Sequence, residues 1–264
     1  MQDILSEIVA HKKKEVALQK ERVPFTELEK LLPQMEVPFW SLKKALQLSP
    51  TGVIAEFKRR SPSKGWINQS ARADEVTRAY EAAGAAALSV LTDETFFGGT
   101  LVDLQKVTQA VHIPVMRKEF IVDAYQLFEA KLAGAGAVLL IAAAITTHEC
   151  RQLTELAHQL QLEVLLELHD ERETEYITPI NKLIGVNNRN LGSFVTDLQK
   201  SFRMAELLPQ DTIWVSESGI SDPVILKELR HAGYKGFLIG ENFMKTADPG
   251  ESLRNFLREI ESDR

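Results

Sequence analysis

Eight short apolar runs recur along the chain, at residues 53–57, 87–91, 113–116, 137–141, 164–168, 183–186, 213–215 and 237–239. They are near-continuously hydrophobic rather than alternating, the pattern of parallel strands buried on both faces. The segments between them carry helical spacing instead. Ala73, Val76, Ala79, Tyr80 and Ala83 share one face, and Ala124, Leu127, Phe128, Lys131 and Leu132 repeat the period. Gly84, Gly134 and Gly233 each close such a stretch just before a strand, where a left-handed residue stops the helix. Strands alternating with helices every ~20–35 residues predict an α/β fold, either a closed barrel or an open doubly wound sheet. Periodicity does not separate the two.

The 264 residues are close to the ~250 typical of a (β/α)8 TIM barrel, a length that also permits two small domains. We expect residues 1–264 to form a single TIM-barrel domain, with residues 1–50 an N-terminal helical extension and 51–264 the barrel. In the extension, Ile4, Leu5, Ile8 and Val9 share a face, which predicts a helical layer over one barrel end. Its opposite-sign charges fit a membrane-surface helix poorly.

Composition narrows the partners. The net charge is −6, which argues against nucleic acid, since phosphate backbones are bound by basic faces. A small anionic substrate remains compatible, because a local cluster of Lys and Arg can focus positive potential in a cleft. Cys150, the only cysteine, cannot form an internal disulfide, as expected of a cytoplasmic protein. The longest apolar stretch, residues 133–145, falls short of the ~20 residues a bilayer demands. The expectation is a soluble, cytoplasmic monomer without nucleic-acid or membrane partners.

Active sites of such barrels gather at the C-terminal strand ends. The first run exits through Glu56 and Lys58, which alternation sends to one side and Phe57 to the other. The alternative is a surface salt bridge. The third run ends Arg117-Lys118-Glu119-Phe120, and neighbouring cations are expected to lower the pKa of Lys118. Glu167 is a lone carboxylate inside an apolar strand, and Asn187 and Arg189 follow the sixth run. The glycine-bearing ends of the seventh and eighth runs, at Ser218-Gly219 and Gly240-Glu241, suit a phosphate. A helix cap by Ser221 or Asp222 before Pro223 is the plainer reading of part of this segment.

Other signals fail. Gly134-Ala135-Gly136 precedes a strand rather than following one, the reverse of a dinucleotide fingerprint. The histidines lack metal-ligand spacing, and Cys150 reads as packing. No metal and no cofactor are predicted.

The block 55–63, Ala-Glu-Phe-Lys-Arg-Arg-Ser-Pro-Ser, resembles the first-strand signature of indole-3-glycerol phosphate synthases. Residues 90–93, 96–99, 117–121, 165–167, 186–191 and 216–220 follow in that family's order, so the resemblance runs from the N-terminal helices to the eighth strand. It implies ring closure, decarboxylation and dehydration of 1-(2-carboxyphenylamino)-1-deoxyribulose 5-phosphate. Lys118 would be the general acid, and Lys58 would hold the anthranilate carboxylate and assist dehydration. Glu167 would be the second acid–base group, Glu56 and Asn187 would orient substrate and lysines, and Ser218 would assist. Ser61, Arg189, Gly219, Gly240 and Glu241 would meet the phosphate, and Phe97 and Phe120 would pack on the aromatic ring. Glu119 stands where the family more often has aspartate, and Glu241 where serine is one common alternative. The second departure puts a side-chain contact to phosphate in question, though not a backbone contact.

Rival readings are a Schiff-base aldolase using Lys58 or Lys118, a phosphosugar isomerase, and a non-catalytic anion-binding scaffold. The last would have lost the acid–base set, which is intact here.

Overall fold

The computed structural model describes residues 4–32 and 39–262. Eight strands form one closed sheet: β1 (Val53–Phe57), β2 (Ala87–Leu91), β3 (Val115–Lys118), β4 (Ala137–Ile141), β5 (Glu163–Leu168), β6 (Leu183–Asn187), β7 (Ile213–Glu217) and β8 (Gly236–Ile239). Each pairs in parallel with the next, and β8 returns to β1 with Ala55 opposite Ile239. Closure settles the choice that periodicity left open. The fold is a (β/α)8 barrel.

The third strand starts later than its apolar run. Pro114 has no N–H to give a ladder and contributes only its carbonyl, which accepts from Leu88 N at 2.8 Å, and the regular strand runs from Val115 through Lys118. β6 and β7 likewise continue to Asn187 and Glu217. These polar residues therefore belong to strands, and the two-residue period decides where they point.

Two cores follow from that period. Val53, Ala55, Phe57, Leu88 and Val90 pack outward against the helices. Ile54, Met116, Leu165, Leu183 and Val215 fill the barrel. One period beyond these inward residues come Glu56, Lys118, Glu167 and Glu217, and Asn187 lies two periods beyond Leu183. The polar groups are the top layer of the inward-facing stack.

The N-terminal segment corrects the expectation of a layer over one end. Helix α1 (Ile4–Arg22) brings Leu5 and Ile8 into the inner core beside Phe120, at the C-terminal mouth. Helix α2 (Phe25–Leu31) buries Leu28 beside Phe128 on the barrel's flank. Helix α3 (Leu42–Leu48) buries Leu42 and Leu46 against the opposite end, where Leu46 crowds Gly236 at the start of β8. Ser41 caps α3 and donates to Glu163, the first residue of β5, at 2.7 Å. The segment packs at both ends because its apolar groups divide between them. Residues 1–3 and 33–38 of the expected extension lie outside the described residues. Among the described residues no helix is long and apolar enough to cross a membrane.

Gly84, Gly134 and Gly233 have φ of 104°, 84° and 111°, the left-handed helix stops expected. Asp222 caps the helix Pro223–His231 by accepting from Val224 N at 2.8 Å, so the plainer reading of that segment holds. Cys150 is buried in the helix Thr147–Gln159.

Candidate active site

The strand ends surround a cavity of about 320 Å³, within the range of small-molecule sites. All the residues singled out from the sequence line it: Glu56, Lys58, Ser61, Phe97, Lys118, Phe120, Glu167, Asn187, Arg189, Ser218, Gly219, Gly240 and Glu241.

Its floor is ionic. From β1, Glu56 Oε1 lies 2.8 Å from Lys58 Nζ, with side chains 5% and 13% exposed. That excludes a surface salt bridge. From β3, Lys118 Nζ donates to Glu217 Oε2 at 2.6 Å and to Glu167 Oε2 at 3.1 Å. Asn187 Nδ2 donates to Glu167 Oε1 at 3.1 Å, and His169 Nε2 lies 3.0 Å from the same oxygen. The Asn187 carbonyl accepts from Lys200 Nζ at 2.8 Å, which fixes the end of β6.

The electrostatics of Lys118 reverse the sequence expectation. Arg117 alternates to the outer face, where it pairs with Glu129 at 3.2 Å and leaves Lys118 no cationic neighbour on that strand. Burial alone would lower the lysine's pKa, but Glu167, Glu217 and Glu56 outweigh it and hold the ammonium above its ordinary value. Burial pushes Glu167 up, yet Lys118 and His169 pull it well below the ordinary carboxylate range.

One wall is aromatic. Phe97 and Phe120 sit with ring centroids 5.8 Å apart and planes at 36°, and Ile4, Leu5 and Ile8 of α1 line the same cavity. The opposite end suits an anion. Ser61 Oγ and Arg189 Nε are buried without a hydrogen-bond partner, and Gly240 caps the short helix Glu241–Met244. Arg189 Nη1 donates to Ser63 Oγ at 3.4 Å, and Nη2 lies 3.6 Å from Glu241 Oε2. Ser218 and Gly219 are both left-handed, with φ of 69° and 81°. A serine held there stores strain of ~1–3 kcal/mol, a common property of functional turns.

A model of the indole-3-glycerol phosphate synthase family matches residues 5–256. The chain belongs to that family. It is 56% identical to the indole-3-glycerol phosphate synthase of Bacteroides thetaiotaomicron, across 99% of this chain and all of the relative. It is 43% identical to that of Burkholderia multivorans and 40% to that of Aliarcobacter butzleri, each across 96% of this chain and 98% of the relative. Among solved structures, a mutant tryptophan synthase α-subunit from the hyperthermophile Pyrococcus furiosus superposes with a TM-score of 0.60. That match covers 80% of this chain and 97% of the other, at 12% identity, and speaks to the barrel alone.

Within this synthase-family site, sequence reasoning passed over Glu217. The signal was present, because Glu217 ends an apolar strand as Glu167 does. Placing the end of the seventh run at residue 215 moved it into a loop. Gly185 makes the room it occupies: a Cβ there would collide with Glu217 Oε1. Two carboxylates sharing one ammonium cannot both ionise cheaply. Burial, reinforced by Glu167 and only partly offset by Lys118, pushes Glu217 up to about 8.

That shift has a pH signature. Between 4.5 and about 8 the unfolded glutamate is ionised while the folded one keeps its proton. Unfolding then releases a proton, so this group's contribution to stability falls as pH rises through the window. Glu217→Gln lacks the titration. Urea unfolding of both proteins across the window should show the stability difference moving in the variant's favour with rising pH. Parallel profiles would contradict the assignment.

Proposed function

We propose that this chain converts 1-(2-carboxyphenylamino)-1-deoxyribulose 5-phosphate into indole-3-glycerol phosphate, carbon dioxide and water, through Lys118, Glu167, Glu56, Lys58 and Asn187, with Glu217 added to the set. The observation that carries it is the meeting of two half-buried amines and three buried carboxyl groups between an aromatic wall and an anion-binding end. The substrate has a matching order of groups: an aryl carboxylate, a ketone and a phosphate. Held at both ends, it would be folded with its ring carbon near the ketone, which removes much of the entropic cost of cyclisation.

Ring closure joins the carboxylate-bearing ring carbon to the ketone carbon, and the ketone oxygen takes a proton from Lys118. Lys58 holds the carboxylate until carbon dioxide leaves. The electron pair of the broken bond restores the aromatic ring, so this step balances within the substrate. Dehydration then needs one acid for the departing hydroxyl and one base for the neighbouring C–H proton. We assign these roles to Lys58 and Glu167, a reading supported by the amide of Asn187 that holds Glu167 by a hydrogen bond. The carboxylates that keep Lys118 protonated work against the aldolase alternative, which requires a neutral amine.

Mixing the purified protein with the substrate, without added metal, should produce indole fluorescence together with stoichiometric carbon dioxide. Substrate consumed with neither indole nor gas would favour the isomerase, and a borohydride-trapped adduct the aldolase. At the anion end, Arg189→Ala should raise KM by about 10- to 100-fold, the range of a lost charged hydrogen bond. An unchanged KM would place the phosphate elsewhere.

A further inference from the structure

Helix α1 buries Leu5, Ile8, Lys12 and Val16 on one face, so a lysine occupies a position whose helical neighbours are apolar. Lys12 is 1% exposed, and its ammonium reaches three carboxylates: Asp93 Oδ2 at 3.0 Å, Glu15 Oε2 at 3.0 Å and Glu119 Oε1 at 3.2 Å. Glu15 is its own helix neighbour. Asp93 and Glu119 are themselves 0% and 2% exposed, and they belong to the loops after β2 and β3. A buried cation with this set is expensive to assemble unless its partners need it.

Each partner already has a task. Asp93 Oδ1 accepts from the backbone N–H groups of Phe96 at 2.7 Å and Phe97 at 3.3 Å. Glu119 Oε1 accepts from the backbone N–H of Phe120 at 2.9 Å, and its Oε2 accepts from Thr92 Oγ1 at 2.7 Å. The two carboxylates therefore support the backbone of the two phenyl rings that form the aromatic wall. Lys12 joins one support to the other.

We propose that Lys12 is a positioning residue for substrate recognition: by bridging Asp93 and Glu119 it sets the spacing between Phe97 and Phe120, and so the fit of the aryl end of the ligand. It touches no substrate atom and takes no part in proton transfer. The inference rests on the aromatic wall receiving the aryl group, as proposed above. It gives the N-terminal helix a part in ligand selection, distinct from merely covering the barrel. Charge compensation alone would be a different role, since any neutralisation of Asp93 and Glu119 would then replace the lysine.

The test is titration of anthranilate, followed by its own fluorescence, into full-length wild type, K12M and K12M/D93N/E119Q. Inorganic phosphate is titrated calorimetrically in parallel. The triple variant removes the uncompensated carboxylates that threaten the fold of K12M, and its amide oxygens can still accept from Phe96, Phe97 and Phe120. Anthranilate affinity is expected to fall roughly tenfold in the triple variant, and in K12M where it folds, while phosphate affinity stays within about twofold of wild type. Wild-type anthranilate affinity in the triple variant would overturn the proposal. So would a parallel loss of phosphate binding, which would mean general loosening, or wild-type protein that fails to bind anthranilate. Turnover of the full substrate by the same wild-type preparation is scored separately. Its absence would sink the catalytic reading without deciding the role of Lys12.

Discussion

Lys118→Ala is expected to lower kcat by about 10²- to 10⁴-fold, the usual worth of a positioned general acid. The amine stands at the centre of the inward-facing layer, 2.6 Å from Glu217 and 3.1 Å from Glu167. No other amine pairs with both carboxylates among the described residues. The fold is expected to hold at reduced stability, since the variant leaves the buried Glu167 without its ammonium partner while Glu217 is already protonated. Steady-state kinetics beside a thermal melt would separate the two effects. Lys118→Arg should not rescue turnover, since a planar guanidinium cannot occupy the place of a compact ammonium between two carboxylates. Turnover near wild type in Lys118→Ala would remove this lysine from the mechanism.

Glu167→Gln is expected to cost a comparable ~10²–10⁴ in kcat, with a smaller change in KM. Its amide preserves shape and can still accept from Asn187, so the loss would come from charge and basicity. A second effect should accompany it. Glu167 is one of the carboxylates that raise Lys118 against its burial, so its neutralisation moves the lysine's pKa downward. If Lys118 must be protonated, activity is lost as pH rises through that pKa. The alkaline limb of the kcat profile should therefore shift to lower pH in the variant. A limb that stays in place would separate Glu167 from Lys118 electrostatically, contrary to their 3.1 Å contact.

Much of this was legible in the sequence. Eight apolar runs became eight strands, because a fully buried parallel strand tolerates almost nothing else. The lone carboxylate of Glu167 was informative for the same reason: a charge in such a strand demands a partner. Strand ends were harder to read. Pro114 looked like part of an apolar run, yet its missing N–H delayed β3 until Val115, and Glu217 was taken out of β7 although its hydrogen-bonding register continued.

Electrostatics were least legible. Adjacent Arg117 and Lys118 suggest mutual repulsion in a linear reading. On a strand they face opposite ways: Arg117 meets Glu129 on the following helix, and Lys118 meets Glu167 and Glu217 from remote parts of the chain. Lys12 posed the same difficulty, since its partners Asp93 and Glu119 lie far along the sequence. Such a lysine reads as a solvated helix residue until the tertiary structure brings those acids to it.

Helices α1 and α3, at the two ends of the barrel, precede in the chain the strands and loops that cover them. Ser41 waits 122 residues for Glu163, and Lys20 waits 103 for Asp123. During translation the apolar faces of α1 and α3 therefore emerge while the surfaces that cover them do not yet exist.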